Sequence, residues 1–458
     1  MLPEEPGNFR SFLQFFFSAF VAAFFFVFLS GCLQGKVKTS GVDYTAFGEK
    51  PVIIHDEDFH QKYKLSRVVV LSRHNIRSPL SGSGSVLKTL TPHEWFNWTS
   101  KPSELSSRGG VLETIMGQYF RKWLESESLI PENYIPSAGE VRFYSNSMQR
   151  TIATAQYFSS GMLPVANVQI EHRYTPSKMD AVFTPQTVYL TEDFKKQAYR
   201  EINAMGGEGG LAALCESLLP SYKVLERTLK FDRSDYSIEK SFPHFKTDDT
   251  VVSLGVNQEP GMRGSLKTAT SASDALILQF YEEPDEKKAA FGQNLTAKDW
   301  ELIAQIKDVY GDILFTSPSI SKAVARPLLS LINQELSTEG RKFTFLCGHD
   351  SNIGSVLAAL ETAPYSLPAA IEKKTPIGSK FVISVWKDEK GEEFAELSLV
   401  YQTVQQLREC TLLNLENPPA VYALSFEGLE KKADGLYSLP DVKKRFEEAV
   451  SFSDFLEK

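Results

Sequence analysis

The sequence predicts an α/β fold, with a mixed central sheet flanked by helices on both faces and a smaller, mostly α-helical cap domain inserted. Three observations predict it. Val68-Val69-Val70-Leu71, Val141-Arg142-Phe143-Tyr144 and Phe343-Thr344-Phe345-Leu346-Cys347 are short apolar runs that read as buried strands. The second and third each run through a polar turn into helical spacing, at 151–158 and 353–360. From about residue 171 to 295 the strand pattern fades and helical spacing replaces it.

The N-terminus comes first. Residues 12–29 are strongly apolar and end in Leu29-Ser30-Gly31-Cys32. That arrangement reads as a lipoprotein-type signal peptide over 1–31, with Cys32 lipidated as the first mature residue. Glu4 and Glu5 offset Arg10, so an uncleaved anchor is the alternative, and the run is about long enough to span a bilayer. Residues 32–50 read as a tether and 51–458 as the folded domain, its cap insertion included. Either reading places that domain outside the cytoplasm, periplasmic and held to the membrane. His55-Asp56-Glu57-Asp58-Phe59-His60 looks like a metal cluster. One short segment seldom aims so many ligands at one ion, and no other ligand run accompanies it. It reads as a solvated acidic patch.

Just past the first strand comes Ser72-Arg73-His74-Asn75-Ile76-Arg77-Ser78-Pro79. Open α/β sheets bind their ligands at the carboxyl ends of strands. Arg73 and Arg77 can grip a phosphate in bidentate fashion, and the imidazole of His74 between them can attack phosphorus. Their charge also disfavours protonation of His74, which keeps it nucleophilic in mild acid. After the second strand, the turn at 145–150 brings Arg150 to a helix start as a third guanidinium. The cap follows. Gly206-Gly207-Glu208-Gly209-Gly210 separates helices expected over 191–205 and 211–230, and Glu259 sits on a turn fixed by Pro260 and Gly261.

After the third strand comes Gly348-His349-Asp350-Ser351-Asn352, with Asp350 or Ser351 as N-cap. A helix start favours an anion. His349 can donate to a phosphate oxygen, and a protonated Asp350 can pass its proton to a leaving oxygen. Residues 381–386 and 394–401, joined by the turn 388–392, read as a β-hairpin at a sheet edge. Cys347 reads as a buried small hydrophobe, which leaves Cys215 and Cys410 either bridged or free.

Arg73-His74-Asn75-Ile76-Arg77-Ser78-Pro79 resembles the Arg-His-Gly-x-Arg-x-Pro signature of the histidine acid phosphatases, and His349-Asp350 resembles their distal His-Asp pair. Asn75 in place of the usual Gly is similar to the periplasmic glucose-1-phosphatase branch. So are residues 145–151, 258–261, 315–318 and 375–378. The resemblance implies a phosphohistidine on His74, phosphoryl binding by Arg73, Arg77, Arg150 and His349, and proton donation by Asp350. It implies no metal and no organic cofactor. Phosphoryl transfer needs charge neutralisation and alignment, which cationic side chains can supply.

Net charge of −8 argues against a nucleic-acid partner, which calls for a basic face. The substrate expected is a small phosphate monoester, such as a sugar phosphate, with Glu259 accepting sugar hydroxyls. A broad acid phosphatase or phytase is the alternative. A non-catalytic lipoprotein that binds phosphorylated ligands would need neither a nucleophile nor an acid.

Overall fold

The computed structural model describes residues 41–80, 85–174 and 179–452. The apolar N-terminal run and Cys32 lie outside the described residues. Among the described residues nine strands form: β1 (Tyr63–Arg73), β2 (Val141–Ser145), β3 (Val251–Ser253), β4 (Gly261–Arg263), β5 (Phe343–Gly348), β6 (Lys380–Asp388), β7 (Glu393–Tyr401), β8 (Ala420–Ala423) and β9 (Tyr437–Ser438). Seven make one sheet in the order β2-β5-β1-β6-β7-β8, with β9 on β7. β2, β5 and β1 run parallel, and β6, β7, β8 and β9 pair antiparallel. The sheet is therefore mixed, as expected.

Alternation along β1 builds two cores. Val68 and Val70 join Phe120 of the helix Ser107–Ser126 and Phe158 of the helix Gln149–Met162. Val69 and Leu71 join Leu328 and Leu329 of the helix Pro318–Ser337, Ile353 and Val356 of the helix Asp350–Ala359, and Phe446 of the helix Leu439–Ser451. A sheet buried on both faces explains why the run 68–71 is continuously apolar. Each such side chain contributes about 1.5–3 kcal/mol by burial. The first two helices cross at glycines. A Cβ on Gly117 would strike the Phe158 carbonyl, and one on Gly161 would strike the Thr114 carbonyl. Close backbone approach needs glycine at both positions.

Residues 171–295 are mostly helical. They include the helices Glu192–Ala204, Gly210–Glu216, Leu219–Leu229 and Ser265–Glu282, with β3 and β4 as a two-stranded ribbon. Thr191 caps the first helix, accepting from the Phe194 N–H at 3.2 Å. The helix expected over 211–230 is broken at Ser217-Leu218. Pro220 lacks an N–H and sits in the first turn of a new helix.

Two other expectations need correction. The cap residue after β5 is His349, one residue before the expected Asp350 or Ser351. Its backbone is extended, and its N–H donates to Asn352 Oδ1 at 2.9 Å. Asn352 supplies the cap contact from inside the helix, so Asp350 is already helical. The β6–β7 hairpin is interior rather than at an edge, because β1 covers one side and β8 and β9 cover the other. Short strands from the C-terminal region shield that edge, and their few residues give little sequence signal. Cys215, Cys347 and Cys410 are all unbridged, with Cys347 buried in β5.

Candidate active site

Register places the three turns side by side. Arg73 on β1 lies opposite Gly348 on β5, and Ser145 on β2 lies opposite Cys347. The His74 N–H donates to the Gly348 carbonyl at 3.0 Å, and the Asn146 N–H donates to the Cys347 carbonyl at 2.9 Å. Segments far apart in sequence thus converge on one cleft of about 950 Å³. His74, Arg77, Arg150, His349, Asp350 and Glu259 all line it. Arg73 is almost fully buried beneath, against Asp350.

The two imidazoles stand 5.4 Å apart, centroid to centroid. His74 Nδ1 lies 2.8 Å from the Asn75 carbonyl. A carbonyl can only accept, so Nδ1 carries the proton and Nε2 keeps its lone pair. Burial holds the imidazole well below its usual pKa, and Arg150, Arg77, His349 and Arg73 push the same way. His74 is therefore neutral in mild acid. The Asn146 amide fixes the other ring. Its Oδ1 accepts from the Ser147 and Asp180 N–H groups at 2.7 and 3.1 Å, which turns Nδ2 toward His349 Nε2 at 2.8 Å. Neutral His349 then holds its proton on Nδ1, free to donate. Burial and Arg150 bring its pKa down to about 3.

The cations divide into two kinds. Arg77 pairs with Asp274 at 2.9 Å, Asp274 with Lys307 at 3.2 Å, Lys307 with Asp350 at 2.7 Å and Asp350 with Arg73 at 3.5 Å. Arg73 also donates to Glu372 at 2.6 Å. Arg150 stands outside this chain of charges. Among the described residues it makes no ion pair, its buried Nε has no hydrogen-bond partner (as for Arg73 and Arg77), and burial next to Arg77 brings it down to about 10. A buried cation without a counter-ion is a place for an anion. Burial alone would raise the Asp350 carboxyl, but Lys307 and Arg73 overrule it and hold it well below the usual range.

Sequence reasoning missed Lys307, Asp274, Glu372 and Asp308. Lys307 and Asp308 lie on the helix Ala297–Phe315, where their spacing looks like a solvated face. Asp274 had a signal: it is a lone carboxylate amid small and apolar residues in the helix Ser265–Glu282. Burial pushes Asp308 up to about 7, so it enters mild acid largely protonated. Beneath His74, Asn75 donates to Glu113 Oε1 at 2.7 Å, and Glu113 holds the buried Lys380 at 3.1 Å. Gly378, at φ +67°, lies flat against the Asn75 amide, where a Cβ would collide with it.

Two imidazoles, three guanidiniums and an acid stand together above the ends of parallel strands, a set suited to binding and transferring a phosphoryl group. Residues 64–400 match the histidine phosphatase superfamily (branch 2), and the chain belongs to that family as a histidine acid phosphatase. It is 36% identical to the glucose-1-phosphatase of Salmonella typhimurium over 381 residues, 82% of this chain and 90% of that one. To the glucose-1-phosphatase of Providencia rettgeri it is 36% identical over 424 residues, 91% of this chain and all of that one. Among solved structures, the phytase from Citrobacter braakii superposes with a TM-score of 0.76 at 25% identity, covering 84% of this chain and 98% of that one.

Proposed function

We propose that the protein is an extracytoplasmic acid phosphatase that hydrolyses sugar phosphates, with glucose 1-phosphate as the type substrate, through a phosphohistidine on His74. The observation that carries the mechanism is the free Nε2 lone pair of a neutral His74 beside Arg150, a buried guanidinium with no ion pair among the described residues. Nε2 attacks phosphorus, the ester P–O bond breaks, and the leaving oxygen takes a proton from Asp350. Water then attacks the phosphohistidine and gives its proton to the Asp350 carboxylate, so phosphate leaves and the acid is restored. Arg73, Arg77, Arg150 and His349 neutralise the phosphoryl oxygens meanwhile.

Asp350 is ionised in the free site, and the substrate resolves this. A phosphate monoester has a second pKa near 6, so in mild acid it arrives with one proton. Its phosphoryl group competes with Asp350 for Lys307 and Arg73, and its charge drives that proton onto the carboxyl. The kcat/KM for glucose 1-phosphate is therefore expected to be full below about pH 6 and to fall as pH rises through the substrate's second ionisation. Asp350→Ala should cost roughly 10²–10⁴-fold with a sugar leaving group and much less with p-nitrophenol, which departs with little help. Equal losses on the two substrates would remove Asp350 from the acid role.

Glu259 lines the cleft from the exposed loop between β3 and β4. A carboxylate there accepts hydrogen bonds from sugar hydroxyls and repels a substrate carrying many phosphates. The second reading, a phytase, is favoured by Lys267, Lys307 and Lys374, which line the same cleft. Glu259→Ala decides between them. The ratio of kcat/KM for glucose 1-phosphate over phytate should fall, and an unchanged ratio would exclude Glu259 from selectivity.

The location rests on the N-terminal segment. Lipidation of Cys32 predicts that Cys32→Ser loses acylation and moves from the detergent phase to the aqueous phase. An unmodified mature N-terminus at another residue would overturn it.

A further inference from the structure

The run His55–His60 does not act alone. The segment before β1 folds into a short helix, Glu57–Lys62, capped by Asp56. Its fold brings His60 against Glu127, the C-cap of the helix Ser107–Ser126, and His55 against Glu396 on β7. No other ligand run is visible beside His55 and His60 in sequence because the third ligand comes from more than sixty positions away.

We propose that His55, His60 and Glu127 form a binding site for a divalent transition-metal ion of the zinc class. One ligand atom from each of the three lies within 4.8 Å of the other two. The polarity of His60 is the strongest argument. Its Nδ1 lies 2.9 Å from the Asp56 carbonyl and its Nε2 lies 3.0 Å from Glu127 Oε2. Both partners are acceptors. With Nδ1–H given to the carbonyl, a neutral ring turns its Nε2 lone pair on the carboxylate, and only a proton or a metal ion between them relieves that.

The spacing suits a metal. Zinc bonds of about 2.0–2.1 Å in a tetrahedron hold neighbouring ligand atoms roughly 3.3 Å apart. The His60–Glu127 pair is already close to this, and the His55 ligand atom lies within 4.8 Å of both. The outer contacts suit it too. Ligating histidines usually give their second nitrogen to a carboxylate or a carbonyl. Asp56 supplies the carbonyl for His60, and Glu396 Oε2, 2.7 Å from His55 Nε2, supplies the carboxylate for His55. Among the described residues no lysine or arginine forms an ion pair with Glu127 or Glu396, so both carboxylates face the imidazoles. Two imidazoles with one carboxylate select zinc, nickel or copper over magnesium or calcium, which prefer all-oxygen sites.

The cluster lies at the opposite end of β1 from His74. At about 3.3 Å per residue, the strand separates them by roughly 30 Å. The ion would pin the segment before β1 to the end of the helix Ser107–Ser126, outside the reaction.

The test is calorimetric titration of the chelator-treated full chain with zinc chloride at neutral pH, with thermal unfolding in parallel. Wild type should bind zinc saturably and melt higher with it, whereas magnesium should change neither. His60→Ala and Glu127→Gln should each weaken zinc binding about tenfold or more, with kcat/KM for p-nitrophenyl phosphate unchanged. Glu127→Gln keeps the shape of the side chain, so it covers the case in which His60→Ala fails to fold. Absence of zinc binding, or zinc affinity and stoichiometry unaltered in both variants, would overturn the proposal. The second result is what binding to the cleft imidazoles alone would give.

Discussion

His74→Ala is expected to lose turnover by a factor on the order of 10⁴ or more while folding normally, because no other group can take over nucleophilic attack. Nothing in the core depends on the ring. Its Nδ1 hydrogen bond goes to the adjacent Asn75 carbonyl, and its other face looks into the cleft. Burial and the charges of Arg150, Arg77 and Arg73 favour the neutral ring. The measurement is single-turnover kinetics with labelled glucose 1-phosphate, quenched without acid. Wild type should yield an acid-labile, base-stable phosphoprotein, and the variant should yield none. Wild-type turnover in His74→Ala would sink the mechanism, whereas loss of turnover without a trapped intermediate in the wild type would leave direct attack by water.

The largest effect on stability is expected at Glu113. Its carboxylate is fully buried, accepts from Asn75 and holds Lys380, which is equally buried and also donates to the Gly378 carbonyl at 2.9 Å. Burial raises the carboxyl and Lys380 opposes the shift, so the pair holds its charges by mutual contact. Glu113→Ala leaves the Lys380 ammonium uncompensated among Phe158 and Phe345. Breaking such a pair costs about 3–5 kcal/mol, which a urea unfolding midpoint reads directly. Replacing both partners, as in Glu113→Leu with Lys380→Met, should recover most of the loss because no bare charge remains. A single substitution costing under about 1 kcal/mol would show that solvent reaches the ammonium. Asn75 joins this pair to the adjacent His74, so turnover should fall in the single variant and return only partly in the double.

Much of the site was legible because its chemistry is local. Arg73, His74 and Arg77 fall within one turn, and a continuous apolar run before them marks a strand buried on both faces. His349 and Asp350 follow a second such run, and Arg150 opens a helix after a third. The central strands and the helices beside them carry strong periodicity, since each buries a face against the sheet. Errors arose where the signal was a single residue. The cap at His349 depends on Asn352 reaching back, and the break at Ser217 depends on a proline three residues on.

The sequence by itself determined the fold class, the reaction family and seven of the polar side chains that line or underlie the cleft. Only the tertiary structure decided what those side chains are paired with. Lys307, Asp274 and Glu372 reach the site from elements whose own patterns say only that they are helix or loop; Lys307 holds Asp350 ionised, while Asp274 and Glu372 pair with Arg77, Lys307 and Arg73. Glu113 and Lys380 meet under Asn75 although 267 positions separate them. Glu127 likewise comes to His60 from 67 positions away. A motif is written in neighbouring residues, so a sequence shows it. A charge network is closed by register and helix packing, so its partners appear only once the chain has folded.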